Sequence, residues 1–432
     1  MSSTATRSRI PATPNDVATH IARLFGQHME LGCRLTFDGR LDPLILSRAV
    51  RLSLDVEPVL GCALRTGVFR VWWERLENLD GVLPFSVGTT TDPDRDAIVH
   101  MTAAIDSAAG PQVAVHLLQA ERGDEVIISM SHDATDGQGV KQYAYLLADL
   151  YARLSADPGY APSPPVAPRP SAADVWNALT PRQRRDANMT PSMTMPNWVV
   201  PARGVTGRGR TLRELRLPPE RFRAIKAYGD ARGASINALT LTAFFRALVR
   251  SFSPPTGQPM SLPFTAEHRR FLKERNNIPI TNLAISLWLG VPHVEGESFA
   301  GTLLRVKEHL DTWRDALWGV KSLVQATSVA RMGYTPMRLM MGAISAMSAK
   351  SGKTSPVFTN IGILHEDRLD FGGLVPVSAR LSGPAAFGAS LVPTISTYRE
   401  TLTVSMGFCD ADIDPDVIEQ VLHHMAEELA HP

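Results

Sequence analysis

The chain has 432 residues, 44% of them hydrophobic and 20% charged, and its 44 Lys and Arg balance 43 Asp and Glu to a formal net charge of +1. That length gives a prior of about two to three domains with a large core, and the composition excludes a disordered or fibrous protein. Near-neutrality supplies no long-range field for a polyanion, so no nucleic-acid partner is expected and an anionic ligand would need a local basic patch.

Met1 to Pro14 is rich in Ser, Thr and Pro without an apolar run, which predicts a disordered arm over 1–14 rather than a signal peptide. Hydrophobic spacing then predicts a strand over Gly32–Phe37, a helix over Asp42–Leu54, and strands over Val68–Trp73 and Val113–Gln119. Ten prolines between Ser155 and Gly209 predict an irregular crossing over 156–205, which separates a first unit, 15–155, from a second, 206–432. At its end Arg203, Arg208, Arg210, Arg213 and Arg216 read as a solvated linker face, with phosphate contact as the sharper alternative.

Beyond the crossing, helices are predicted over Pro219–Gly229 and Ser235–Arg250, and strands over Met260–Phe264 and Thr281–Leu289. Further helices over Phe299–Trp313 and Pro336–Ala349, strands over Pro356–Leu364 and Thr401–Phe408, and a last helix over Pro415–Leu429 complete the pattern. Interspersed strands and helices on both sides of the crossing define an α/β protein of two similar units. Two uncharged stretches, Asn276–Val294 and Leu381–Tyr398, are broken by Pro, Gly, Asn and Ser and read as buried strands and loops, not membrane spans. Cys33, Cys62 and Cys409 form no CxxC pair, which argues against a disulfide framework or cysteine zinc site and fits a reducing, cytoplasmic location.

One segment carries chemistry. Val126 to Met130 is apolar and β-branched enough for a buried strand, and Val140, Tyr143, Leu147, Leu150 and Leu154 recur at helical spacing. Between them lies His132-Asp133-Ala134-Thr135-Asp136-Gly137, which puts His132 at the mouth of the strand and Asp136 at the N-cap of the helix. A rigid strand-to-helix junction is a good place for a general base. A His followed by Asp-Gly at this spacing is expected by chance about 0.05 times in such a chain. The bland alternative is a satisfied core histidine beside an ordinary N-cap.

With this HxxxDG motif the sequence resembles the chloramphenicol acetyltransferase-like acyltransferase superfamily, which includes nonribosomal-peptide condensation domains and alcohol acyltransferases. Glu57-Pro58-Val59-Leu60, Arg269-Arg270-Phe271-Leu272, Ile280-Thr281-Asn282-Leu283, Thr359-Asn360-Ile361-Gly362 and Asp370-Phe371-Gly372-Gly373 extend the resemblance along the chain. It implies two acetyltransferase-like subdomains, mixed sheets covered by helices, in a V-shaped pseudo-dimer around a central tunnel. It further implies an acyltransferase with His132 as general base, moving an acyl group from a CoA or carrier-protein thioester to a hydroxyl or amine of a small acceptor. Imidazole suits that role: its ordinary pKa of about 6.5 lets it take a proton from the attacking group near neutral pH. No permanently bound cofactor is expected. The acyl-CoA or acyl-phosphopantetheinyl carrier is a co-substrate, an acyl carrier protein is the implied partner in the second case, and the protein is expected to be a monomer.

In the family the motif Asp makes a structural ion pair, which assigns Asp136 an orienting role. The arginine that partners it in condensation domains falls near Asp55, so Arg51 or Arg65 are the alternatives. Gly137 is expected to let backbone approach substrate, or simply to start a helix, and Asn360 to donate to an oxyanion, or to serve a turn. Ser131 stands where condensation domains commonly have a second His. This leaves open a condensation-like protein that binds a carrier-tethered intermediate without transfer, or one that catalyses cyclisation, epimerisation or thioester hydrolysis.

Three further patterns carry blander readings. Gly352-Lys353-Thr354 lacks the first glycine of a phosphate loop, since Met347 stands there. His423 and His424 with Glu427 and Glu428 lack a third ligand for a metal and read as a solvated helix. Met332, Met337, Met340, Met341 and Met347 read as core filling, or as the lining of an acyl tunnel.

Overall fold

The computed structural model describes residues 8–430 apart from 27–28, 164–167, 190, 192, 204–208, 274–277, 331 and 386–389, and Arg208, Pro164 and Pro165 of the sequence reading lie outside the described residues. The first half runs β1 (Arg9–Pro11), α1 (Pro14–Leu24), β2 (Glu30–Thr36), α2 (Pro43–Val56), β3 (Cys62–Thr66), β4 (Val71–Arg75), β5 (Phe85–Thr89), α3 (Pro93–Thr102), β6 (Val113–Ala120), β7 (Gly123–Ser131) and α4 (Gly137–Ala156). Local chemistry explains the helix starts. Thr13 and Asp16 form a reciprocal capping box at α1, Asp42 caps α2, and each helix has proline in its first turn. Part of the expected disordered arm is therefore ordered, because Arg9–Pro11 pairs with β4 and Thr13 starts a helix; residues 1–7 lie outside the described residues.

Two short helices, α5 (Ala172–Ala178) and α6 (Pro181–Ala187), interrupt the proline-rich crossing. Here prolines act as punctuation around capped turns: Ser171 and Thr180 each close a capping box. Ala172, Val175, Leu179 and Ala187 bury themselves with Leu272, Leu283, Val320 and Leu323 in a small core of their own.

The second half runs β8 (Arg210–Leu217), α7 (Pro219–Asp230), α8 (Ile236–Phe252), β9 (Pro259–Glu267), β10 (Ala284–Pro292), α9 (Phe299–Asp315), α10 (Val320–Ala330), α11 (Tyr334–Ser351), β11 (Thr359–Ile363), β12 (Ser378–Ser382), β13 (Pro393–Tyr398), β14 (Thr401–Cys409) and α12 (Pro415–Glu428). The stretch read as a solvated basic face is largely β8, paired antiparallel with β14. Its arginines are engaged within the protein: Arg213 pairs with Glu419, Arg203 with Asp414, Arg210 donates to the Thr102 carbonyl, and Arg216 to Ser378.

Four sheets result. The first half is built on β12-β2-β7-β6-β5 and the second on β11-β13-β14-β8, with a three-stranded β1-β4-β3 and a β9-β10 pair beside them. β12 belongs to the second half in sequence, yet it pairs with β2, Ser378 opposite Thr36 through Ser382 opposite Gly32. Each half also repeats one unit, an antiparallel hairpin whose second strand leads into a helix capped by Asp: β6-β7-Asp136-α4 and β13-β14-Asp414-α12. No helix among the described residues is long and apolar enough to cross a membrane. The three cysteines are buried and form no disulfide.

The sequence decoys resolve by geometry. Glu427 and Glu428 pair with Arg250 and Arg246 of α8, and His424 meets Ser251; no group of metal-binding side chains occurs among the described residues. Gly352 ends α11 in a left-handed conformation. Of the methionines, Met337 is buried while Met332, Met340 and Met347 are exposed, so neither core filling nor tunnel lining describes the group.

Candidate active site

His132 follows directly on β7, all nine residues of which are buried, and its backbone N–H donates to the Met29 carbonyl at 2.7 Å. The imidazole is half-buried and its Nδ1 lies 2.6 Å from the Thr135 carbonyl oxygen. A carbonyl can only accept, so in the neutral ring Nδ1 carries the proton and Nε2 holds the lone pair. That contact closes inside the motif itself, between His132 and the residue before Asp136.

Asp136 is 1% exposed. Its Oδ1 accepts from Gly139 N–H, which caps α4, and its Oδ2 accepts from the Leu283 N–H and from Arg269, each at 2.8 Å. Burial opposes the charge, but Arg269 and the two backbone donors outweigh it and hold the carboxyl below its ordinary range. The ion-pair partner is thus Arg269 from the second half. Arg51 instead pairs with Asp55 and Asp80, and Arg65 with Glu74, so neither alternative read from the sequence reaches the motif. Arg269 also pairs with Glu267, whose carboxyl is raised by burial against the pull of Arg269.

The segment read as the start of a strand from Thr281 has another use, since β10 begins at Ala284. Asn282 turns its amide to the motif and donates to the His132 carbonyl at 3.3 Å, while its own side-chain oxygen accepts from Ala284 N–H. The Thr281 carbonyl accepts from Arg269. Arg169, from the proline-rich crossing, closes the back of the loop by donating to Ala134 O and Ile280 O and pairing with buried Asp16. Asp133 points away toward His20 and Arg23 of α1.

Gly137 and Asn360 bring the halves together on the other side. A Cβ at Gly137 would lie 2.7 Å from Ile361 Cδ1, so the glycine lets α4 close against β11. Gln138 and Lys141 of α4 both donate to the Ile361 carbonyl; burial lowers the Lys141 ammonium to about 8. Asn360 sits at a bulge in β11 where its side-chain oxygen accepts from Gly362 N–H, a turn-forming bond. Its amide nitrogen has no hydrogen-bond partner among the described residues and Asn360 lines the same cavity as His132.

That cavity measures about 950 Å³ and is lined from both halves, by His132 and Gly137 on one side and by Phe264, Ser286, Trp318 and Asn360 on the other. It is large enough for an extended small-molecule substrate. With no partner on Nε2 among the described residues, apolar and polar walls, and an unengaged amide donor, the site can take a proton from a bound group and donate to a nearby oxygen. Sequence reasoning named His132, Asp136, Gly137 and Asn360, and all four line this cavity. It quoted Arg269 and Asn282 in short motifs without assigning them roles. Arg169 gave no signal.

No known family profile matches the sequence, and no curated protein is significantly similar to it. Solved structures are similar in fold. The first condensation domain of the CDA synthetase matches with a TM-score of 0.69 at 20% identity, over 98% of this chain and 97% of that one. A trichothecene 15-O-acetyltransferase from Fusarium sporotrichioides matches with a TM-score of 0.73 at 13% identity, over 100% and 96%. The epimerization domain from the third module of tyrocidine synthetase B matches with a TM-score of 0.69 at 14% identity, over 98% and 96%.

Proposed function

We propose that this chain, which has the two-half fold of condensation domains and chloramphenicol acetyltransferase-like acyltransferases, is an acyltransferase that uses His132 as its general base. The reading rests on one observation: His132, its Nδ1 proton engaged by Thr135 O, lines a cavity to which both halves contribute. Nε2 takes the proton of a hydroxyl or amine as that group attacks a thioester carbonyl, and returns it to the leaving thiolate sulfur. The products are an ester or amide and a free thiol. No enzyme-bound acyl intermediate is needed, because the thioester is already activated and the cavity can hold both reactants side by side. Asn360 Nδ2 is the candidate donor to the oxyanion.

The donor is CoA or a phosphopantetheinyl carrier protein, and the acceptor a small molecule. The test is a thioester panel offered with hydroxyl and amine acceptors, with products identified by mass spectrometry. Turnover by the wild type, reduced roughly 10²–10⁴-fold in His132→Ala, supports the reading. Undiminished turnover in that variant overturns the role of His132. Solved neighbours that epimerise or cyclise share this fold, so a carrier-bound substrate returned with changed stereochemistry or a new ring would favour that second reading.

A further inference from the structure

Glu57 lies at the end of α2, 6% exposed, and lines no part of the cavity. Its Oε2 accepts from the Ile280 N–H at 2.9 Å, and its Oε1 from Gln142 Nε2 at 3.3 Å. No cation lies within ion-pair distance among the described residues. A carboxylate buried in this way is costly unless hydrogen bonds offset its lost hydration, so the two N–H groups that meet it are what hold it there.

What it holds is the strip that touches the motif. The Ile280 peptide is gripped from both sides, its N–H by Glu57 and its carbonyl by Arg169. The next three residues are then spent on the site: Thr281 O on Arg269, Asn282 on the His132 carbonyl, and Leu283 N–H on Asp136. Gln142 adds a second tie, to the Ile278 carbonyl. The strip has no regular secondary structure to hold it in register, so these bonds decide where Asn282 falls.

We propose that Glu57 is a positioning residue for His132, fixing the Ile280 peptide so that Asn282 and Leu283 meet the His132–Asp136 loop in register. The proposal rests on the reading of His132 as the reacting base. The Glu57 carboxyl is spent on the Ile280 N–H and Gln142 and lies outside the cavity lining. Both neighbours of its carboxyl are N–H donors, so the ionised form satisfies them and a protonated oxygen would face one of them with a hydrogen. Burial pushes this carboxyl up to about 7, against the Ile280 N–H and the charges of Arg169 and Arg269, which face it from the crossing and the second half. Those two arginines are themselves matched by Asp16 and by Asp136 with Glu267.

The experiment reads His132 directly and needs no substrate. Full-length protein labelled with 15N-histidine, its His132 signals assigned by loss in His132→Gln, gives the two ring-nitrogen shifts and hence the tautomer. Glu57→Gln keeps an acceptor at the Ile280 N–H and should preserve the wild-type shifts. Glu57→Asp keeps the charge but loses the reach, and Glu57→Leu loses both. In these two the ring-nitrogen resonances should converge toward a mixture of tautomers. Wild-type shifts in Glu57→Asp and Glu57→Leu would overturn the proposal and leave Glu57 a packing residue. Should Glu57→Leu fail to fold, the contrast of Glu57→Asp with Glu57→Gln decides alone. A failed acyl-transfer assay leaves this test intact, and unchanged shifts leave the acyltransferase reading intact, so the two fail separately.

Discussion

The Arg269 guanidinium lies 2.8 Å from the Asp136 carboxylate, and the two residues come from opposite halves of the chain. The pair is buried, with side chains 11% and 1% exposed, and one arginine nitrogen serves both Asp136 and Glu267. The motif is thereby fastened to the second half by a charge as well as by packing.

Removing that charge strands the buried Asp136 carboxylate and leaves the half-buried Glu267 without its partner. Arg269→Leu should lose about 3–5 kcal/mol of stability, the usual cost of breaking a buried pair, read as a lower urea midpoint. Adding Asp136→Asn should recover part of the loss. The sign of the pH effect follows from the lowered Asp136 value: its contribution is present above the unfolded pKa and is lost as pH falls through the folded one. Wild-type protein should therefore show an acid-unfolding component that Asp136→Asn lacks.

Asn282 tests whether the second half orients the base. Asn282→Ala removes the hydrogen bond to the His132 carbonyl and should lower kcat roughly 10²-fold with little change in KM, the size expected for misplacement of a reacting group. Thermal unfolding close to wild type, with that kinetic split, would separate positioning from folding.

At Gly137 the expected effect is steric. Gly137→Ala drives a methyl into Ile361 and should destabilise by about 1–3 kcal/mol, as overpacking does. Ile361→Ala in the same chain should restore much of the loss, seen by calorimetry. No rescue would show that Gly137 serves the cavity rather than the joint between α4 and β11.

Glu57 predicts a stability slope opposite to that of Asp136. Its folded value, about 7, is raised above the ordinary 4.5, so its favourable contribution is complete below the unfolded pKa and is lost as pH rises through 7. Between these limits wild-type stability should fall relative to Glu57→Gln, measured by urea denaturation across the range.

The parts legible in the sequence were those written locally. The buried run Val126–Met130, the helical spacing from Val140 and the Asp136 cap lie within thirty residues of one another, so periodicity and capping chemistry located His132 correctly. The Arg269 pairing spans 133 positions and the Asn282 contact 150, and no periodicity encodes a partner at that range. Proline density concealed the crossing: it reads as irregular, yet α5 and α6 bury a core there and Arg169 reaches the motif loop. Leu215 and Leu217 share one face of β8 while Leu212 falls on the other, so the alternation is broken, and five arginines draw the reading toward solvent and away from a strand.

The pairing of β12 with β2 sets an order of events during synthesis. β2 leaves the ribosome well ahead of Ser378–Ser382, and its outer edge has no partner until that strand emerges. Until then this strand offers unpaired backbone groups to any neighbouring chain. The first half, cut free at the crossing, would keep that edge open, so β2 is covered only once the second half has been made as far as Ser382.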